Sequence, residues 1–115
     1  MRRGEVYWVD LEPSVGAEAN KIRPAVVVSN DAANRVAGRG GRGVVTIVPI
    51  TSNTARVYPF QVLLPAKECG LGADSKAQAE QVRTVAAVRL RTRIGELPPA
   101  VLKKLDEALR VHLAL

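Results

Sequence analysis

Arg23 and Thr51 are the residues of this chain whose types and settings suit phosphate chemistry. Arg23 stands where a loop-like segment, 12–22, enters an apolar run, and Thr51, followed by Ser52 and Asn53, stands where another apolar run ends. If the two ends converge on one rim, a guanidinium and a hydroxyl donate to the same phosphate. The guanidinium then neutralises the extra charge of a pentavalent transition state. The same residues also fit a blander reading, an arginine capping a strand edge and a threonine in a turn. Glu18 and Glu80 are the carboxylates nearest these segments, and either would accept a proton from a ribose hydroxyl if burial raised its pKa. A glutamate beside arginines also reads as a plain ion pair.

The remaining reactive side chains narrow the chemistry. One cysteine, Cys69, excludes an internal disulfide and a cysteine-cluster zinc site. One histidine, His112, excludes a two-histidine metal centre and histidine-pair acid–base catalysis, so no metal or other cofactor is expected. His112 falls in a helical stretch and reads as a surface residue, and Cys69 lies in a turn region with nothing to activate it. Gly38-Arg39-Gly40-Gly41-Arg42-Gly43 looks like an RNA-binding arginine–glycine segment in one short copy, but fits a mobile hairpin connection better. It lacks the Gly-Lys-Ser/Thr ending of a nucleotide-cradling loop. Tyr7 and Trp8 read as core residues of the first strand.

The 115 residues suit a single domain, 1–115, and 17 Lys plus Arg against 11 Asp plus Glu leave a net charge of +6. Arginine outnumbers lysine by 12 to 5, which favours phosphate recognition over a simple cationic surface. Such a domain attracts a polyanion, nucleic acid or an acidic protein. No apolar stretch follows the basic N-terminus as in a signal peptide, and no apolar run is long enough for a membrane span. A cytoplasmic protein is expected.

Short strands are predicted over 4–10, 23–29, 44–51, 58–64, 76–82, 85–90 and 93–97. The run 23–29 is nearly all apolar and so should be central and buried on both faces, with Pro24 at its first position. Pro49 points to an edge or a bulge near the end of 44–51. Asn30 or Asp31 caps a short helical turn through Arg35, and 65–74 reads as turns. After Pro98-Pro99, apolar residues at Val101, Leu102, Leu105, Ala108, Leu109 and Leu113 follow the spacing of an amphipathic helix. The fold class is α+β, mainly β: a small SH3-like twisted antiparallel β-barrel with a C-terminal amphipathic α-helix.

Several stretches taken in order resemble the MazF/PemK/Kid family of toxin endoribonucleases. They are Arg3-Gly4-Glu5-Val6-Tyr7-Trp8-Val9-Asp10-Leu11 with Pro13, Gly16-Ala17-Glu18, and Arg23-Pro24-Ala25-Val26-Val27-Val28. The pattern continues through Val48-Pro49-Ile50-Thr51, Tyr58-Pro59-Phe60-Gln61-Val62-Leu63-Leu64, Gln78-Ala79-Glu80-Gln81-Val82-Arg83-Thr84 and Ile94-Gly95-Glu96-Leu97. The composite is similar to MazF proteins of mycobacterial and actinobacterial type. The resemblance implies a homodimeric toxin of a toxin–antitoxin module that cuts single-stranded RNA, notably mRNA, at short sequences without a metal. The ribose 2′-hydroxyl would attack the adjacent phosphate, leaving a 2′,3′-cyclic phosphate and a 5′-hydroxyl.

By the same resemblance the catalytic positions fall on Arg23 and Thr51. The loop carrying Glu18 would help enclose RNA and respond to a MazE-like antitoxin with an acidic tail. Some members carry Arg-x-Asp where this chain has Gln78-Ala79-Glu80, so the arginine is missing while a carboxylate remains. A histidine just before the family arginine is also absent, with Lys21 and Ile22 in its place. Glu18, Glu80 and Gln78 are thus candidates for proton acceptance or RNA binding, and Lys21, Arg56, Lys76 and Arg83 for tracking the RNA backbone. The alternative is a non-enzymatic topoisomerase (gyrase) inhibitor like CcdB, on the same barrel. Those toxins depend on a tryptophan-bearing end of the C-terminal helix, whereas this chain ends Val111-His112-Leu113-Ala114-Leu115.

Overall fold

The computed structural model describes residues 1–11 and 22–115. Strand β1 (Glu5–Asp10) pairs antiparallel with β2 (Ile22–Val27), which pairs antiparallel with β3 (Val44–Thr51). Helix α1 (Asp31–Gly38) connects β2 to β3. The chain continues through β4 (Gln61–Leu64), the single turn α2 (Ala66–Cys69), β5 (Ser75–Gln78), β6 (Arg83–Ala86), β7 (Leu90–Glu96) and α3 (Pro99–Leu113). Short 3-10 turns at Ala79–Gln81 and Ala87–Arg89 interrupt two stretches expected to be continuous strands. The sheet order is β4-β5-β3-β2-β1-β7, with β6 beside β3. The chain is mainly β with a C-terminal helix, as expected.

The sheet does not close into a barrel. β3 is eight residues long, and one of its edges is shared: Val44–Ile47 pair with β6, Ile50 and Thr51 with β5. Pro49 sits at this fork, buried beside Ala25, and not at an outer edge. Pro24 is the third residue of β2, not the first. β2 meets β3 only from Ala25 onward, so at Pro24 the strand has one paired neighbour and tolerates a residue without an amide hydrogen. The expected 58–64 strand begins only at Gln61, because 58–60 form a turn whose Tyr58 carbonyl accepts the Gln61 amide.

Two apolar layers flank the sheet instead of one barrel interior. On one face Val6, Val26, Val48, Ile50, Val62 and Leu64 pack with Val101, Leu105 and Ala108 of α3. On the other, Val9, Ala25, Val27, Val45, Ile47 and Val85 pack with Ala37 of α1. The alternation of Ala25, Val26 and Val27 between these layers is the two-faced burial expected of a central strand. Asn30 caps α1 by accepting the Ala33 amide, and α3 opens on Pro99, whose missing amide costs nothing in a first turn. The 38–43 segment joins a helix to a strand, so it is not a hairpin, and Gly40 and Gly41 adopt φ of 71° and 65° there.

Polar contacts clamp the layers. Arg3 donates through Nη2 to Asp106 of α3 at 2.7 Å and through Nε to the Val28 carbonyl at 2.9 Å. Across β1 and β7, Arg93 Nε meets Glu5 Oε2 at 2.7 Å, while Tyr7 Oη and the Arg2 amide donate to Glu5 Oε1. Burial alone would push the Glu5 carboxyl up, but the Arg93, Arg2 and Tyr7 donors outweigh it and hold it below its ordinary 4.5.

A carboxyl lowered by folding stabilises the fold above its unfolded pKa, and that contribution is lost as pH falls through the lower folded value. Glu5→Gln is therefore expected to lower stability at neutral pH and to flatten the decline below pH 4.5, read by urea unfolding across pH. Gly95→Ala tests the close approach of β7 to α2. A Cβ there would lie 2.5 Å from the Cys69 carbonyl oxygen, so a loss of about 1–3 kcal/mol is expected in the same measurement.

Candidate active site

The β2–β3 register decides where the two candidate phosphate-binding residues lie. Val27 faces Ile47, Val26 faces Val48 and Ala25 faces Pro49. One further pleat along the same register sets Arg23 against Thr51, just past the end of the ladder. Both residues line one cleft of about 450 Å³, together with Trp8, Pro24, Ile50, Ser52 and residues of the 71–75 turn. The expected convergence of guanidinium and hydroxyl on a common rim is what the sheet produces.

The electrostatics suit an anion. Arg23 is paired with Val9 through its backbone, but among the described residues no hydrogen bond or ion pair engages its half-buried side chain. Other arginines are held: Arg91 by Asp10 at 3.1 Å, Arg93 by Glu5, Arg110 by Glu107 at 2.8 Å and Arg3 by Asp106. Thr51 Oγ1 accepts the Asn53 amide at 3.2 Å, so its own hydrogen is available to a ligand oxygen. Ser75 Oγ donates instead to the Ala73 carbonyl, 2.9 Å away, which stiffens the turn forming one wall.

Trp8, expected in the core, is 42% exposed and lines the cleft, on β1 directly opposite Pro24 of β2. The sequence did carry a signal for this. Tyr7 and Trp8 are adjacent in a strand, so they cannot share a face. Tyr7 packs with the α1-side core, and Trp8 takes the other side at the open end of the sheet.

The other candidates divide. Glu18 and Lys21 lie outside the described residues. Glu80 and Gln78 do not line the cleft. Glu80 instead accepts from the buried Gln61 amide at 2.8 Å through Oε2, and its Oε1 is buried with no hydrogen-bond partner among the described residues. Lys76 is buried, with Nζ donating to the Arg56 carbonyl, so its ammonium holds the 52–60 loop in place of facing solvent. Arg56 and Arg83 are exposed. Burial pushes the Cys69 thiol up, which keeps it inert, and His112 is exposed on α3. Among the described residues no three His, Cys, Asp or Glu side chains gather as a metal site, and no helix is long and apolar enough to cross a membrane.

Residues 2–113 match the family of the PemK-like, MazF-like toxin of type II toxin–antitoxin systems. The chain belongs to the PemK/MazF toxin family. It is 62% identical over 115 residues to endoribonuclease MazF9 of Mycobacterium tuberculosis, covering 100% of this chain and 98% of that protein. It is 36% identical over 116 residues to endoribonuclease EndoA of Bacillus subtilis, covering 100% and 96%. A solved mycobacterial endoribonuclease in complex with its cognate antitoxin superposes with a TM-score of 0.74 at 29% identity, covering 100% of this chain and 96% of that one.

In this MazF-like chain the loop beside the cleft is anchored from below. Gln61 accepts the Tyr58 amide at 3.1 Å while donating to Glu80, and Lys76 ties the Arg56 carbonyl. Above these anchors the Tyr58 and Phe60 rings stack with centroids 5.3 Å apart and planes 5° from parallel, and the Arg56 guanidinium sits 5.7 Å from the Tyr58 ring.

Gln61→Leu removes the described donor to Glu80 and is expected to cost about 1–3 kcal/mol, because a partly buried carboxylate loses that donor. Gln61→Leu with Glu80→Leu is expected to recover most of that loss, as a double-mutant cycle of unfolding free energies would show.

Proposed function

We propose that this chain is a MazF-type toxin endoribonuclease that cleaves single-stranded RNA without a metal, as a single domain acting in a homodimer in the cytoplasm. The observation that carries the reading is the Arg23 guanidinium, without a partner among the described residues, and the Thr51 hydroxyl lining one cleft at the end of the β2–β3 ladder. The activity carried in the names of the two curated full-length relatives supports the same reaction class.

In the proposed reaction the ribose 2′-oxygen attacks the adjacent phosphorus as its proton leaves to a base, and a new P–O2′ bond forms. The P–O5′ bond breaks and the departing 5′-oxygen takes up a proton, so the products are a 2′,3′-cyclic phosphate and a 5′-hydroxyl. Arg23 stabilises the charge that builds on the non-bridging oxygens, and Thr51 donates a further hydrogen bond to them. Glu18 is the candidate proton acceptor. Glu80, held by Gln61, positions the 52–60 loop instead. Trp8 and the Tyr58–Phe60 pair offer aromatic faces on which unpaired bases stack, and Arg56 and Arg83 add backbone contacts that weaken with salt.

The partner follows from the same charge pattern. An antitoxin with an acidic, flexible tail would fill the cleft and neutralise Arg23, in keeping with the net charge of +6 and with the antitoxin-bound structural relative.

Purified protein incubated with mixed RNA in EDTA is expected to leave 2′,3′-cyclic phosphate and 5′-hydroxyl termini. Arg23→Ala is expected to slow single-turnover cleavage about 10²–10³-fold, and Thr51→Val by about tenfold or more, with folding unchanged by circular dichroism. Full activity in Arg23→Ala, or inhibited DNA supercoiling with intact RNA, overturns the reading.

A further inference from the structure

β5 carries a buried cation beside the cleft that the nuclease reading does not use. The β3–β5 ladder consists of two pairs, Ile50 with Ala77 and Thr51 with Lys76. Lys76 therefore stands directly across from Thr51, and opposite residues of an antiparallel pair share a face. It does not line the cleft. Lys76 is 8% exposed, its Nζ donates to the Arg56 carbonyl, and among the described residues no carboxylate pairs with it.

Packing does not call for an ammonium there. Burying a charge costs more than burying a hydrocarbon of the same shape, and an apolar replacement is often neutral or stabilising. Arg56 is exposed, so water takes over its carbonyl when the lysine donor is removed. What the charge does is hold the loop. Among the described residues, 52–57 make no hydrogen bond from backbone to backbone. Side chains hold them instead. The Asn53 amide donates to Thr51 Oγ1 and the Ala55 amide to Asn53 Oδ1, each at 3.2 Å, and Lys76 reaches the Arg56 carbonyl. β5 also fixes both ends of the segment, with Thr51 opposite Lys76 and Gln61 opposite Gln78. Lys76 adds a tie to its middle, through a charge-assisted bond about twice as strong as a neutral one.

We propose that Lys76 is a positioning residue for RNA cleavage in the cleft, with the nuclease reading as its premise. By fixing the Arg56 carbonyl it sets where Asn53 stands. The Asn53 amide, bonded to Thr51 Oγ1, in turn sets the direction in which the Thr51 hydroxyl donates. Lys76 touches no reacting atom and acts through Thr51. A displacement of about 1 Å in such a group costs on the order of 10²-fold in rate, so the tie is felt in the chemical step and not in global stability.

Lys76→Met keeps an unbranched side chain and removes the ammonium. Its thermal unfolding is expected to match or exceed that of the wild type. Hydrogen exchange in the full chain is expected to quicken about tenfold at the Asn53 and Ala55 amides and to stay unchanged in α3. Single-turnover RNA cleavage is expected to slow about tenfold, and in a Thr51→Val background the same change is expected to slow it no further. Unchanged exchange at Asn53 and Ala55, an unslowed Lys76→Met, or an equal slowing without the Thr51 hydroxyl overturns the proposal. A Lys76→Met chain that unfolds at lower temperature also overturns it, assigning the ammonium to the fold. The exchange measurement uses no RNA. A wild-type chain that leaves RNA intact therefore overturns the nuclease reading, while loop exchange still decides whether Lys76 holds the segment.

Discussion

The antiparallel register between β2 and β3 is the constraint on which the site depends. Three paired residues, Ala25 with Pro49, Val26 with Val48 and Val27 with Ile47, align everything beyond them. A slip of one residue would turn Val26 and Val48 out of the α3-side core and Ala25, Val27 and Ile47 out of the other, so burial on both faces locks the alignment. Arg23 and Thr51 are then brought together without any contact of their own to hold them. Their juxtaposition is a by-product of hydrophobic packing several residues away.

Where the ladder ends matters as much as how it is aligned. Pro24 and Pro49 lack amide hydrogens, and each lies where pairing is incomplete: Pro24 beyond the β2–β3 ladder, Pro49 at the fork between β6 and β5. The β2–β3 ladder ends at Ala25 and Pro49, and the cleft lies beyond that end. A fully closed barrel with the same residues would leave less room for a phosphate between the strand ends.

Charge is sorted along the same framework. Glu5, Asp10, Asp106 and Glu107 hold Arg93, Arg91, Arg3 and Arg110, with little effect on anion binding beyond the clamp itself. Among the described residues Arg23 is an arginine without such a partner that lines the cleft, whereas Arg35, Arg39, Arg42 and Arg83 are exposed elsewhere on the surface. Net charge by itself does not distinguish a clamp from a binding site, and only the partners of each guanidinium do.

Much of this was legible along the chain. β-branched and aromatic content marked β1, a short apolar run marked β3, the unbroken apolar run marked β2 as central, and the Val101–Leu105–Ala108 spacing marked α3, because each of these patterns is local. Local composition also singled out Arg23 and Thr51 as the residues suited to phosphate. The failures were of another kind. Trp8 was expected inside and Lys76 in solvent, and both expectations failed because a long-range neighbour decides the answer. Sequence alone determined which strands and side chains were available. Tertiary structure decided which ends meet, which charges are already neutralised and where the sheet stays open, since register and burial are set by residues far apart in the chain.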